Sequence, residues 1–229
     1  NYNYKDRILL ELNGRYDGSS KFPENNRWAF FPSASAGWRI SEEPFFAPAK
    51  SIVNNAKIRA SYGEIGNQEV GSNMYIATIA RQGSDVNWLG TGSTKMTTFG
   101  MPKMVSSTLT WETLATTNFG VDLGFLNGEL NATFDWFQRD TKDMLAPGQT
   151  MPQVLGATAA YENAGTLRSR GWEITLDWHH SFNGVNVYAV ANLADYTTTI
   201  KEWNNDSRLL NSNYPGKRYG DIWGFETDR

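Results

Sequence analysis

The sequence predicts an all-β fold, an antiparallel up-and-down sheet of the transmembrane β-barrel kind. Three observations lead there. Residues 117–139 read as two arms of alternating apolar and polar side chains around Asn127-Gly128. The same alternation recurs in about seven stretches along the 229-residue chain. Connections alternate between long and short, as in a meander whose long loops all leave from one side.

In chain order, the first strand is expected over about residues 5–16. Ile8, Leu10, Leu12 and Tyr16 share one face; Glu11, Asn13, Arg15 and Asp17 share the other. Side chains alternate across a strand, so each arm presents one apolar and one wet face. A polar loop over about 17–28 follows, broken by Gly18 and Pro23. The second strand, about 28–40, sets Phe30, Pro32, Ala34, Ala36, Trp38 and Ile40 against Ser33, Ser35, Gly37 and Arg39. Pro32 has no N–H to give a ladder and marks a bulge or a strand end. Residues 41–55 carry no strand pattern. Ser41 suits a cap, and Pro48 can open a helical turn that Asn54-Asn55 closes. The third strand, about 57–65, places Ile58, Ala60 and Tyr62 opposite Lys57, Arg59 and Ser61. A long connection over about 66–108 follows, of a length that in compact domains goes with function.

The fourth and fifth strands form the 117–139 hairpin. Thr117, Phe119, Val121, Leu123 and Phe125 line one face of the first arm, and Leu130, Ala132, Phe134 and Trp136 continue it on the second. Asn127-Gly128 supplies the φ > 0 pair of a type I′ turn. A loop over about 140–168 contains Pro147, Gly148, Pro152 and Gly165. The sixth strand, 171–180, alternates Trp172, Ile174, Leu176 and Trp178 with Glu173, Thr175, Asp177 and His179. Phe182-Asn183-Gly184 turns the chain into a seventh strand, about 185–195, with Val187, Ala189, Ala191 and Leu193 on one face. Its other face, Tyr188, Val190 and Asn192, is less polar. Residues 197–229 read as loop.

The apolar faces carry almost no charge through the strand centres. Phe119, Val121, Leu123, Phe134, Ile174 and Leu176 are therefore expected to face lipid; Trp38, Trp136, Trp172 and Trp178 on the same faces fit the interface, where amphipathic rings settle, or an ordinary aromatic core. The opposite faces carry mixed charge: Glu11, Arg15, Arg39, Lys57, Arg59, Asp122, Asp135, Arg139, Glu173 and Asp177. These are expected to line a hydrated lumen. An outward Arg or Lys at the bilayer midplane costs about 2–4 kcal/mol, whereas a water-filled interior accepts it.

Composition excludes other classes. The net charge of −3 gives no basic footprint for nucleic acid. With no cysteine, disulfides, thiolate metal sites and Cys nucleophiles are ruled out. Mean hydropathy is −0.51, and no run is long enough for a transmembrane helix. A barrel is polar on average, because only alternate residues meet lipid. Aromatic content of 14% fits interface girdles and equally a carbohydrate-binding surface. No signal peptide is visible, and the chain reads as a piece of a longer polypeptide.

The search for chemistry returns little. His179 and His180 are neighbours on a strand, so they point to opposite faces and cannot chelate together; no metal or cofactor is expected. Asp122 and Asp135 lie on adjacent arms, but a glycosidase needs two carboxylates held about 5–10 Å apart in a cleft, and a hydrated wall with Arg139 and other partners nearby explains them more simply. Asp140, Lys142 and Asp143 read as a solvated strand-to-loop exit. Gly216-Lys217 lacks the remaining residues of a phosphate loop. No nucleophile elbow or dinucleotide fingerprint is present, and the chain is not expected to be an enzyme. Among loop aromatics, Tyr75, Trp88, Trp203 and Tyr214 are candidates for stacking on a sugar or peptide, or for packing a loop on its neighbour.

Several stretches carry a family resemblance: RWAFFPSASAGWRISEEPFF (27–46), AKIRASYGEIGNQ (56–68), LTWETLATTNFGVDLGFLNGELNATFDWFQRDTKDML (109–145), ENAGTLRSRGWEITLDW (162–178) and YGDIWGFETD (219–228). In this order they resemble the C-terminal barrel of SusC-like (SusC/RagA) TonB-dependent outer-membrane transporters of Bacteroidetes. The resemblance implies about seven strands of a roughly 22-strand plugged barrel, with the plug, signal peptide and barrel C-terminus outside this chain. It implies import of an oligosaccharide or peptide across the outer membrane, with a SusD-like surface lipoprotein as lid and TonB supplying the energy through a region outside this chain. Loops 66–108, 140–168 and 197–229 are then the candidates for ligand and lid contact. Two other readings remain: a soluble secreted glycan-binding or glycoside-hydrolase β-domain, which purifies without detergent, and a passive porin, which has no plug.

Overall fold

Strands dominate the computed structural model, which describes residues 1–71, 74–82, 98–148, 151–156, 159–210 and 212–224. They are β1 (Tyr2–Tyr4), β2 (Ile8–Gly18), β3 (Trp28–Arg39), β4 (Val53–Asn67), β5 (Arg81–Gln82), β6 (Thr98–Phe99), β7 (Glu112–Phe125), β8 (Leu130–Pro147), β9 (Tyr161–Phe182) and β10 (Val185–Glu202). Eight of them form one antiparallel sheet in the order β1-β2-β3-β4-β7-β8-β9-β10. Each strand lies beside its chain neighbour, so the sheet is an up-and-down meander; β5 and β6 make a separate two-stranded ribbon within the long connection.

Several boundaries differ from the sequence reading, each for a local reason. Lys5 and Asp6 adopt positive φ, 51° and 54°, and Asn3 and Asp6 hydrogen-bond reciprocally at 2.6 and 2.9 Å. The chain therefore turns there, Tyr2–Tyr4 pairs back, and the long strand starts at Ile8. Pro32 sits inside β3 without a bulge, opposite Gly14. The ladder to β4 begins only at Ser33, so the missing N–H coincides with the end of one ladder. Residues 40–49 form 3₁₀ turns, with Pro44 and Pro48 in the second.

The 126–129 turn is longer than a two-residue type I′ loop. Phe125 pairs with Leu130, and Leu126, Asn127 and Gly128 all take positive φ. At the other short connection Phe182 stays in the ladder, paired with Val185, so the turn is Asn183-Gly184 alone, with φ of 44° and 88°.

The largest difference is strand length. β8 runs to Pro147, β9 starts at Tyr161 and β10 reaches Glu202, so much of 140–168 and the start of 197–229 is ladder rather than loop. A transmembrane strand needs only about 9–11 residues, whereas β9 has 22.

Near the long-connection end, Phe22, Phe31, Val70, Leu109 and Trp111 form a small buried cluster. Trp111 donates its ring N–H to the Arg27 carbonyl at 3.1 Å, tying β7 to the β2–β3 loop. Phe31 fills the space beside Gly66, where a Cβ would lie 2.0 Å from the ring. Gly66→Ala is therefore expected to displace Phe31 and cost about 1–3 kcal/mol, the usual cost of overpacking. A fall in the melting temperature of the full-length protein would report it. An unchanged value would show that Phe31 swings aside freely.

Candidate functional site

The register lines the apolar side chains into one continuous belt. Ile8, Trp38, Ile58, Val121, Phe134, Ile174 and Leu193 pair in turn across β2, β3, β4, β7, β8, β9 and β10. Phe119 pairs with Trp136 and Trp136 with Trp172 in the next outward row, while Ala132 pairs with Leu123 and Leu176 below. No second sheet covers this face among the described residues: Phe119 is 52% exposed, Phe134 42% and Leu193 62%. The residues expected to face lipid and the four tryptophans that alternate with them in sequence all belong to this one face.

The belt runs obliquely to the strands. Relative to the row of Ile8 and Leu193, its upper edge on β2 is Tyr16, eight residues higher, whereas on β10 it is Leu193 itself. Its lower edge moves the same way, from Ile8 on β2 to Val185 on β10. A drift of about eight residues over six strand steps is roughly 4.4 Å per step, against roughly 4.8 Å between strands. The slope is about 40°, and strands closed into a barrel tilt by 35–45°. A level membrane crossing tilted strands requires such a drift.

Above the belt the same face becomes polar. Arg170 donates to Gln138 at 2.8 Å, Gln138 to Asp140 at 2.9 Å, and Arg168 forks onto Asp140 at 2.6 and 2.9 Å. Asp140 is thus a nearly buried ion-pair partner inside β8, not a solvated exit. Asp143, with φ of 57°, sits where the β8–β9 register shifts.

The opposite face carries the charges. Arg59 on β4 holds Asp122 on β7 with two bonds, 2.8 and 2.9 Å, and reaches Asp135 on β8 at 3.0 Å. Gly120 lies beneath this bridge; a Cβ there would be 2.5 Å from Asp135 and 2.7 Å from the guanidinium carbon. Of the partners expected near these two carboxylates, Arg59 is the one that binds both. Lys57 pairs across from Asp122 and Arg39. Arg15 meets Asp17 at 2.7 Å, and Glu11 accepts from Asn13 at 3.0 Å. Arg39 reaches Glu42 at 3.6 Å, and Asp177 accepts from the Tyr188 hydroxyl at 3.2 Å. Arg139 and Glu173 are exposed on this face.

Three of the four loop aromatics lie among the described residues. Trp203 is half-buried against Gly165, whose Cβ would lie 2.9 Å from the indole. Tyr214 is half-buried with the Lys217 ammonium 5.6 Å from its ring centre. Tyr75 is half-buried in the long connection, and Trp88 lies outside the described residues. His179 is exposed. Sequence reasoning weighed the histidines only as ligands and missed the role of His180. Its Nδ1 lies 2.7 Å from Glu129, its ring stacks beside Trp178, and Phe182 meets it edge-on at 4.3 Å. The signal was present as an aromatic at every second position, Trp178, His180, Phe182, at the short-turn rim of the belt. Among the described residues no group of three metal-ligating side chains comes together.

Comparison with known proteins agrees with this geometry. A family described as "TonB dependent receptor-like, beta-barrel" matches residues 1–224. TonB-dependent receptor P26 of Formosa agariphila is 35% identical over 177 residues, which is 77% of this chain and 17% of that protein. TonB-dependent receptor SusC of Bacteroides thetaiotaomicron is 31% identical over the same shares of each. Among solved structures, the RagAB peptide importer in the open-open state superposes with a TM-score of 0.73 at 28% identity, covering 86% of this chain and 21% of that one. The chain spans about a fifth or less of the length of these relatives. With its sheet, its oblique belt and a family match over nearly its whole length, the chain belongs to the TonB-dependent receptor-like β-barrel family.

Proposed function

We propose that this chain is part of the wall of an outer-membrane, TonB-dependent importer of oligosaccharides or peptides that works with a SusD-like surface lipoprotein. The observation that carries the proposal is the uncovered apolar belt crossing strands tilted at about 40°, with a mixed-charge wall on the other face. A soluble β-module buries such a face against a second layer, because an apolar patch this large does not stay in water. Hydrocarbon is the solvent that suits it, and the charged face then lines the transport path.

In this reading the strands supply the barrel, and their polar extensions above the belt carry the long connections outside the membrane. Energy enters from TonB through parts of the protein beyond this chain. The connection over 66–108 is the main candidate for ligand and lid contact. Replacing it in the full-length protein by a short turn is expected to leave outer-membrane insertion intact and to abolish both uptake and binding of the lipoprotein. Unchanged uptake and lipoprotein binding would remove the loop from that role.

A further inference from the structure

The charged face holds a concavity of about 590 Å³ that the ion pairs alone do not explain. Phe137 on β8 and Tyr196 on β10 line it on either side of Gly171 on β9; a Cβ on Gly171 would lie 2.7 Å from the Phe137 ring and 2.6 Å from the Tyr196 Cβ. At one end, Asp135 and Glu173 stand directly opposite each other across the β8–β9 ladder. Like charges so placed repel. Arg59 lines this end too but is already shared between Asp122 and Asp135, and among the described residues no ion pair reaches Glu173. At the other end stands Arg139, exposed and opposite Ser169. Ser169 and Glu173 are four residues apart, so the positive and negative ends are separated by about 13 Å along the strands. The same concavity is lined by Asn118, whose buried side-chain oxygen has no donor among the described residues.

We propose that this concavity binds a zwitterionic peptide segment of about four residues. Its α-ammonium lies toward Glu173 and Asp135, its carboxylate toward Arg139, and an apolar side chain rests on Phe137 and Tyr196. An extended chain spans about 3.3–3.6 Å per residue, so four residues match the separation of the charged ends. Opposite charges at opposite ends suit a peptide with two free termini; a neutral glycan has no group to use both. The proposal rests on the reading of this face as the lining of an importer, and it selects peptide from the two substrate classes that reading allows.

The test uses the full-length transporter purified from the outer membrane, with the tetrapeptide Ala-Phe-Ala-Ala as probe in free, N-acetylated and C-amidated forms. Wild type is expected to lose about tenfold in affinity on either capping. Glu173→Gln should lose sensitivity to acetylation only, and Arg139→Gln sensitivity to amidation only. Tyr196→Ala should weaken Ala-Phe-Ala-Ala about fivefold and leave tetra-alanine unchanged. Variants that respond to capping as wild type does would overturn the proposal. So would binding of malto-oligosaccharide without binding of peptide, or an equal loss for every probe, which would mark the concavity as a seat for another part of the protein. Failure of the protein to fractionate with the outer membrane would instead overturn the importer reading itself.

Discussion

Val121→Arg is expected to be the most damaging single substitution in the sheet. Val121 sits at the centre of the belt, between Ile58 on β4 and Phe134 on β8. A guanidinium at the midplane of a bilayer costs about 2–4 kcal/mol on the outer face of a barrel. The side chain cannot reach the headgroups easily, since both neighbouring rows on its strand, Phe119 and Leu123, are apolar. The expected result is a several-fold fall in outer-membrane level of the full-length protein and a lower melting temperature in detergent. The control is Thr175→Arg, one residue from Ile174 and so on the charged face, opposite Thr133 and Asn192. It is expected to be nearly neutral. Equal damage from the two substitutions would mean that both faces are packed against protein.

Arg59→Ala is expected to destabilise the sheet from its charged face. One guanidinium joins three strands through bonds to Asp122 and Asp135. Its removal leaves two carboxylates on the same face without their donor. Hydrogen bonds to charged groups contribute about 1.5–3 kcal/mol. The side chains here are about a third exposed, and solvent screening brings the expected loss to the low end, about 1–2 kcal/mol. Asp135→Asn in the Arg59→Ala background should restore part of it by removing one of the two stranded charges. Gly120→Ala should reproduce the loss with Arg59 intact, because its Cβ would occupy the space the bridge passes through. If Arg59→Ala melts as wild type does, the bridge contributes orientation of the inner wall and not stability.

The fold was legible where one solvent on each side writes a period of two into the strand. Phe119, Val121 and Leu123 against Gly120 and Asp122 predicted both the strand and its faces, and the observed pairs keep every such row together. The period fades where both faces meet water. Gln138, Asp140, Arg168 and Arg170 stand above the belt on the outward side, so the alternation stops although the ladder continues. That is why β8 and β9 were read too short. The partner of Asp122 and Asp135 was not legible either. Arg59 lies sixty-three residues before Asp122 in the chain, and only the β4–β7 register brings Arg59 opposite Gly120. The Phe137–Gly171–Tyr196 platform depends likewise on two registers at once. A lone Phe in a polar row of β8 gave no hint of its neighbours.

Which solvent touches successive residues of β7 is the most direct measurement of the membrane wall. Single nitroxide labels at positions 117 to 125 of the otherwise complete protein, reconstituted in lipid bilayers, report access to oxygen, which concentrates in hydrocarbon, and to a water-soluble nickel chelate. Positions 119, 121 and 123 are expected to favour oxygen and exclude nickel, while 118, 120 and 122 do not, with a strict period of two. Low oxygen access at 119, 121 and 123, with no alternation along the strand, would place the apolar row beneath protein and contradict the membrane-wall reading.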